Sequence, residues 1–439
     1  MVATALFMSS IDQTMIATAL RPLGDDLRAP VNWSAWTISI YALGLLVAMP
    51  LGGKISDQIG RKRVFLGAIA LFAVASLLCG LATNIYMLVG FRAVQAIGAG
   101  VFLPSSTGII ADEFPENRDR MIGTFPTIFP IGAMVGPAVG AFIVDHWSWR
   151  ATFLVNVPVA IVLLVLGLMY LSPSPKRGSV AIDVPGIALL AGGLLAALYG
   201  LSRLGDGPSA LVASLLALAV GVVLLALFVR HASRSPSAVI PIDLLRGRTF
   251  GVMAALNFLF GSACIAAGVL VPLYAQDRYG MDLVASGALL TIRSVGIVSV
   301  AALTVMVLRR TGYRVPMVVG FSIVAASLAI LALPPPGSVS PFAWLTVGSA
   351  LSGLGMGVFV PPANNATLHK MPAQTATVTG VRGMFRQTGL LIGVSVITAI
   401  GAASGNAGLA QAWVYGVLAV IVVASLPLIY LVPDHRGKW

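Results

Sequence analysis

The sequence predicts an all-α polytopic membrane protein that crosses the bilayer fourteen times. Its 439 residues are 58% hydrophobic and only 10% charged, with a mean hydropathy of +0.95, whereas a soluble domain needs charges at roughly a quarter of its positions. Most of the surface must therefore face lipid. The chain also divides into apolar runs of about 20 residues, the length that spans the hydrocarbon core, and it contains an internal repeat.

The predicted spans fall into groups of six, two and six. The first six lie near 1–20, 33–54, 63–82, 85–108, 121–144 and 150–171. Two more lie near 184–203 and 209–230, between polar linkers. The last six lie near 250–274, 284–308, 315–333, 342–364, 378–401 and 411–432. The predicted organisation is an N-terminal six-helix bundle (1–171), a linker with two inserted spans (172–248) and a C-terminal six-helix bundle (249–439).

The basic residues predict the orientation. The net charge of +12 is spread too thinly for the basic stripe that binds nucleic acid. If the N-terminus is cytoplasmic, 18 of the 27 Lys and Arg residues lie in cytoplasmic segments and five in outer loops. Such a bias predicts cytoplasmic N- and C-termini. No cleavable signal peptide is expected.

An internal repeat supports the division into two halves. Eight residues of the fourth and fifth spans recur at one offset, 257 positions later, which is typical of transporters built by duplication. The first members are Gly98, Gly100, Val101, Phe102, Pro104, Gly123, Gly132 and Gly136, and their counterparts are Gly355, Gly357, Val358, Phe359, Pro361, Gly380, Gly389 and Gly393.

A loop motif between the second and third spans contains Gly53, Asp57, Gly60 and Arg61. It resembles the cytoplasmic-loop signature of the major facilitator superfamily, apart from Gln58, where the family usually has a basic residue. The resemblance implies a conformational latch. Gly60 permits a tight turn, and Asp57 can pair with a base or cap a helix N-terminus. The alternative is a solvated basic loop.

A small-residue motif in the fifth span contains Gly132, Gly136, Pro137 and Gly140. It resembles the motif associated with the antiporter branches of the superfamily. Small residues spaced four apart let helices approach closely, and proline weakens a helix where it bends. A general helix-packing face is the alternative, and the two interpretations are compatible.

An acidic residue, Asp12, lies inside the first span, within the segment 11–20. This segment resembles a signature of the fourteen-helix drug:proton antiporter branch. Asp12 is the only acidic residue well inside any predicted span, and an intramembrane charge is costly unless it is paired or hydrated. The predicted partner is Arg92 of the fourth span, at a compatible depth. We interpret the pair as the proton-coupling site; a static structural ion pair is the alternative.

Substrate recognition is less visible in the sequence. Polar and aromatic residues inside spans are the candidates for a substrate cavity, although helix packing is the alternative for each. They are Gln13, Tyr41, Gln95, Phe125, Phe129, Phe258, Arg293, Asn364, Arg386 and Gln387. Because the second half has no intramembrane carboxylate, neutral, lipophilic or anionic cargo is expected.

The resemblance to the fourteen-helix branch covers nearly the whole chain, including the linker segment 240–246. It implies a major facilitator fold in the bacterial inner membrane, a monomer, and proton-coupled antiport that exports lipophilic molecules, such as drugs or antibiotics, by alternating access. Exporters of an endogenous lipid or metabolite and proton-coupled uptake permeases are alternatives. No cofactor or metal site is expected. An enzyme is disfavoured because His146, His231, His369 and His435 lie at or outside span ends.

Overall fold

The computed structural model describes residues 1–29, 31–173, 183–203, 208–235, 237–240, 245, 247–368 and 374–434. All regular structure in these ranges is helical. The linker segment 240–246 lies largely outside them, because only residues 240 and 245 are described. The contacts group the chain into two units, one of residues 1–181 and 371–384, the other of residues 182–370 and 385–439. The three-part organisation from the sequence stays a prediction.

The first unit contains eight helices, two of which are joined by a 3₁₀ turn at Phe125–Thr127. They are α1 (Val2–Asp26), α2 (Val31–Ile59), α3 (Arg61–Gly80), α4 (Ile85–Glu113), α5 (Arg118–Thr124), α6 (Ile128–His146), α7 (Ala151–Leu154) and α8 (Asn156–Tyr170). Helices α2 and α3 pack against α4, while α1 packs against α6. The turn from α2 to α3 requires Gly60, whose φ of 112° is disfavoured for side-chain-bearing residues.

The second unit begins with the two inserted helices, α9 (Val184–Ser202) and α10 (Pro208–Ala232), which pack against each other. The helices that follow are α11 (Arg248–Leu259), α12 (Ala267–Val269), α13 (Val271–Tyr279), α14 (Leu283–Thr311), α15 (Arg314–Ala332), α16 (Pro341–Leu368), α17 (Thr375–Ala403) and α18 (Ala407–Ile429). Helices α14 and α15 pack against α16. Residues 375–384, the start of α17, belong to the first unit.

Corresponding aromatic residues occupy the cores of both units. Phe102 of α4 packs against Phe72, with ring centroids 5.5 Å apart. Its repeat counterpart, Phe359 of α16, packs against Phe260 at 5.1 Å and Phe321 at 4.1 Å. Burial of such side chains contributes roughly 1.5–3 kcal/mol each in water-based transfer terms. In lipid, close packing carries more of the stabilisation.

The predicted membrane spans all fall on helices. Thirteen of the described helical segments are long and apolar enough to cross a membrane by length and composition. The remaining predicted span is α1, a 25-residue helix that is less apolar because Ser9, Ser10, Asp12, Gln13 and Thr14 follow one another closely. The ninth span is not one regular helix as predicted, because a π-helical turn at Phe260–Ala266 and a turn at Leu270 interrupt it.

Candidate functional site

Asp12 lies in the interior of the first unit, on the buried face of α1. Its side chain is completely buried, and both carboxylate oxygens accept hydrogen bonds. Arg92 Nη1 donates to Oδ2 at 2.8 Å. The Oδ1 atom accepts from Gln95 Nε2 at 3.0 Å and from Asn156 Nδ2 at 2.7 Å. Three donors from α4 and α8 therefore hold a carboxylate that would otherwise be a costly buried charge.

Arg92, also completely buried, is held in place by groups other than the carboxylate. Its Nε donates to the Thr37 carbonyl at 3.3 Å, and its Nη1 also donates to Gln95 Oε1 at 2.7 Å. The guanidinium carbon lies 4.0 Å from the centroid of the Tyr41 ring, within the range of a cation–π interaction. Removing either charge would leave the other buried and unpaired, which is strongly unfavourable.

Helix α6 supports the helix that carries Asp12. A Cβ atom added at Gly132 would lie 2.7 Å from Ser10 Cβ, and one at Gly140 would lie 2.6 Å from Met15 Cβ. A Cβ at Gly136 would collide with Thr14 Oγ1. Pro137 lies inside α6. The small-residue motif therefore forms the surface on which α1 packs, and larger residues there would displace the helix that positions Asp12.

Asp57, at the end of α2, contacts two different partners within the first unit. Arg61 Nη2 lies 3.2 Å from its Oδ1 atom. Its Oδ2 atom accepts from the Thr377 backbone N–H at 2.8 Å and from Thr377 Oγ1 at 2.9 Å. The carboxylate thus lies at the N-terminus of α17, where a negative charge is favoured by the helix dipole.

Gly53 and Arg61 complete this cluster. A Cβ atom at Gly53 would collide with the Ala376 carbonyl, so only glycine lets α2 approach the start of α17 this closely. Arg61 Nη1 donates to the Gly108 carbonyl and lies 2.6 Å from Asp112 Oδ1. Gly53, Asp57, Gly60 and Arg61 therefore lie together, and Arg61 links α3 to α4.

The candidate substrate residues of the first unit do not form one group. Tyr41 and Gln95 belong to the Asp12 network. Phe125 is buried in the 3₁₀ turn, and the carbonyl of Phe129 accepts a hydrogen bond from Ser10 Oγ at 2.6 Å. Gln13 Oε1 is buried without a hydrogen-bond partner in the part of the chain that the structure describes.

In the second unit, three of the candidates, Arg293, Arg386 and Phe258, lie on or against the interrupted helix α11–α13. Arg293 of α14 is buried and donates through Nη2 to the Cys264 carbonyl at 3.1 Å and to Met356 Sδ at 3.0 Å. Arg386 and Gln387 are half-buried on α17. Asn364 is buried on α16. The backbone of Phe258 lies against Gly389.

Three residues of the Asp12 network were missed in the sequence. Asn156 donates to Asp12, Ser76 accepts from Gln95 Nε2 at 2.8 Å, and Thr37 accepts from Arg92. Asn156 is a polar residue early in the sixth span, and that position was the available signal. Ser76 carries no such signal, because Ser readily bonds its own helix backbone. Thr37 carries none either, because it contributes its backbone carbonyl, a group that every residue has.

Comparison with known proteins decides the family. The sequence model of the Major Facilitator Superfamily matches residues 2–394 and again 254–439. The chain belongs to this superfamily. It is therefore a multi-pass membrane transporter of small molecules rather than an enzyme.

Its relatives include several exporters. The chain is 30% identical to multidrug resistance protein 3 of Bacillus subtilis (strain 168), covering 89% of this chain and 76% of that protein. It is 30% identical to the tetracenomycin C resistance and export protein of Streptomyces glaucescens, with 91% and 74% covered. It is 27% identical to the riboflavin transporter RibZ of Clostridioides difficile (strain 630), with 85% and 80% covered. These relatives confirm the predicted relationship to drug-efflux transporters.

Solved structures confirm the fold. The human organic anion transporter MFSD10 superposes with a TM-score of 0.69 at 17% identity, covering 98% of both chains. A double-tryptophan mutant of XylE superposes with a TM-score of 0.70 at 15% identity, covering 100% of this chain and 96% of that one. At these identities the likeness concerns the fold alone.

Proposed function

We propose that this transporter is a proton-coupled antiporter that exports lipophilic small molecules, such as drugs or antibiotics, from the cytoplasm. The observation that carries the proposal is the buried Asp12 carboxylate with Arg92 at 2.8 Å. The export direction is supported by the relatives described as multidrug resistance and antibiotic export proteins. The positive-inside charge bias supports cytoplasmic termini in the bacterial inner membrane. A monomer is the expected state.

The chemistry required of Asp12 is reversible protonation. The unprotonated carboxylate is stabilised by Arg92 and by the amides of Gln95 and Asn156. Protonation removes its negative charge, so Arg92 loses its counter-ion and the network has to rearrange. If Asp12 has a high proton affinity in one conformation and a low affinity in the other, it can bind a proton on one side of the membrane and release it on the other. The membrane potential supplies about 2.3 kcal/mol per charge per 100 mV.

The α1–α6 contact and the Asp57 cluster supply the mechanical parts of this proposal. Because α6 lies directly on α1, a change in the Asp12 network is passed to the helix that carries Pro137. Because Asp57 bonds both Arg61 and the start of α17, breaking those bonds would free α17 from α2. We propose that the cluster acts as the latch of alternating access.

The test is transport in proteoliposomes containing a pH-sensitive dye. Lipophilic antibiotics and dyes are first screened in cells that express the chain, with and without a protonophore, to find a cargo. In liposomes, transport of that cargo up its gradient should require a proton gradient, and protons should move in the opposite direction. Asp12→Asn should abolish gradient-driven transport while cargo binding persists.

The matched control is Asp145→Asn, which removes a carboxylate whose side chain is 84% exposed. It should transport as the wild type does. Undiminished uphill transport by Asp12→Asn would remove Asp12 from the mechanism, and cargo moving in the same direction as protons would identify an uptake permease.

A second candidate is an exporter of one endogenous metabolite. The relative described as a riboflavin transporter favours it, because that protein is named for a single metabolite. The same screen separates the two functions: a multidrug exporter protects cells against several unrelated compounds, whereas a dedicated exporter protects against none of them.

A further inference from the structure

In the second unit, two arginines lie well inside membrane-length helices, and no carboxylate among the described residues pairs with them. Arg293 on α14 is only 8% exposed, and Arg386 on α17 is half-buried. The described acidic residues of this unit lie near or beyond helix ends; they are Asp183, Asp277, Asp282 and Asp434. An unneutralised cation at such a position is costly in a bilayer.

Arg293 is held in a fixed position by glycines on two neighbouring helices. A Cβ atom at Gly268 would lie 2.7 Å from its Nη2 atom, so the guanidinium rests directly on the backbone of α12. Gly353 of α16 lies against the Arg293 backbone carbonyl. A side chain at either glycine would displace the arginine. The glycine contacts therefore hold the guanidinium in one orientation. These contacts would be equally favourable for an uncharged side chain of the same shape, so they do not explain why a charge is present.

The partners of Arg293 leave part of its hydrogen-bonding capacity unused. Its two hydrogen bonds go to the Cys264 carbonyl and to Met356 Sδ, and both use Nη2. Its Nε atom is buried and has no partner in the described part of the chain. A guanidinium has five N–H donors in a planar fork that matches carboxylate and phosphate oxygens. A carbonyl and a thioether cannot neutralise its charge.

Arg386 approaches the same stretch of helix. Gly261 lies against the backbone carbonyl of Arg386, and the Cys264 carbonyl accepts from the Arg293 side chain, so the helices that carry the two arginines contact positions three residues apart. Both belong to the π-helical turn Phe260–Ala266, and such turns are frequent at functional sites. The Arg386 side chain makes no hydrogen bond or ion pair with the residues that the structure describes.

We propose that the second unit binds the anionic group of an amphipathic substrate, a carboxylate, sulfonate or phosphate, with Arg293 and Arg386 as its cationic partners. This inference rests on the proposed export function and narrows its cargo from lipophilic molecules in general to those that carry a negative charge. The substrate would supply the counter-ion that the described residues do not provide to these arginines.

Binding of matched pyrene probes tests the proposal. The probes are 1-pyrenebutyrate, 1-pyrenebutanol and pyrenebutyl-trimethylammonium, which share the ring and differ in charge. Their Kd values are measured with purified protein in phosphatidylcholine nanodiscs, by tryptophan-to-pyrene energy transfer with a tryptophan-free scaffold protein. The wild type should bind the anion on the order of tenfold more tightly than the alcohol, which corresponds to about 1.4 kcal/mol.

The variants separate charge recognition from packing. Arg293→Gln and Arg386→Gln should each reduce the ratio of the anion's affinity to the alcohol's affinity toward one. Arg293→Lys should keep part of the preference because it retains the charge. Met356→Leu is the matched control, because it removes the Sδ acceptor without changing charge and should keep the wild-type ratio. An unchanged ratio in Arg293→Gln, or a wild type without anion preference, would overturn the proposal.

Two further experiments ask whether the anion can be a lipid headgroup and whether anion binding is independent of proton coupling. If phosphatidylglycerol in the nanodiscs competes with 1-pyrenebutyrate, the site takes lipid headgroups as well as free anions; if it does not, the site takes free anions alone. Both outcomes support an anion site. Asp12→Asn should keep the anion preference, because binding needs no proton gradient. Loss of coupled transport in Asp12→Asn with the preference intact therefore separates the two proposals, as does the reverse result.

Discussion

Each unit buries an arginine in the middle of a long helix, Arg92 in the first and Arg293 in the second, but the partners of the two side chains differ. In the first unit, Arg92 faces the Asp12 carboxylate at 2.8 Å. In the second unit, Arg293 contacts a carbonyl and a thioether. At the repeat offset, Arg92 corresponds to Ser349 and Gln95 to Ser352. The duplication thus retained packing positions such as Phe102 and Phe359, while the charged positions diverged. The two halves can therefore share packing residues while their charged residues differ, and we expect the charged residues to determine the function of each half.

The largest expected effect comes from removing the arginines one at a time. Arg92→Met leaves the buried Asp12 carboxylate without its counter-ion and should destabilise the first unit by about 3–5 kcal/mol. Arg293→Met leaves no carboxylate unpaired and should cost far less, or should even stabilise the protein. Thermal unfolding of both variants in detergent measures the difference. Equal losses would show that the two sites are alike.

The Asp57 cluster should give the next largest effect. Asp57→Ala removes hydrogen bonds between a charged group and Thr377, which are worth about 1.5–3 kcal/mol. Thr377→Val keeps the volume and removes only the hydroxyl bond, so about 1 kcal/mol is expected. Thermal unfolding ranks the two variants. Equal losses in the two variants would show that the charge of Asp57 adds nothing beyond the hydroxyl bond.

Glycine substitutions test whether the two units share the same close helix packing at corresponding glycines. Gly136 lies against Thr14, and its counterpart Gly393 lies against Ser262. Alanine at either position should cost about 1–3 kcal/mol through overpacking. Alanine at Gly90 or Gly287, which have no atom within 4 Å of an added Cβ, should stabilise the helix by up to about 1 kcal/mol. Unfolding midpoints measure all four.

The smallest effect concerns Asp183, which precedes the inserted helix α9 and lies outside the predicted spans. Burial raises the pKa of its carboxyl. Hydrogen bonds from His231 Nε2 at 2.7 Å and from two backbone N–H groups lower the pKa by more than burial raises it, so the pKa ends below its usual value. Because the folded pKa is depressed, the stabilisation is present above about pH 4 and is lost as pH falls through the folded pKa. The loss should stay below about 1 kcal/mol, since His231 is partly exposed.

Unfolding midpoints at pH 5 and at pH 3 check this prediction. The wild type should lose stability over that interval, while Asp183→Asn should show a smaller change because it cannot titrate. A pH response of the same size in both proteins would assign the loss to other carboxylates.

Much of the fold could be predicted because each span carries its own signal. Apolar runs of membrane-spanning length, polar linkers and the repeat at one offset defined fourteen helices. The break in the ninth span could not be predicted, because a π-helical turn depends on the helices that pack around Phe260–Ala266. For the site, the sequence singled out Asp12 and Arg92 as rare charges inside spans. Asn156 offered a signal as a polar residue early in the sixth span, whereas Ser76 did not, because hydroxyl residues are common in membrane helices, and Thr37 did not, because it contributes only its backbone carbonyl.

By itself, the sequence determined that this chain spans a membrane, that it contains two related halves, and that one carboxylate, Asp12, lies well inside a predicted span, because an apolar bilayer makes polar residues in a span stand out. Only the tertiary structure decided that the carboxylate has three donors, that Gly136 lies on Thr14 and that Arg293 has no acidic partner in the part of the chain that is described. Those facts depend on side chains that are distant along the chain and meet only when helices pack, and no local pattern encodes such meetings.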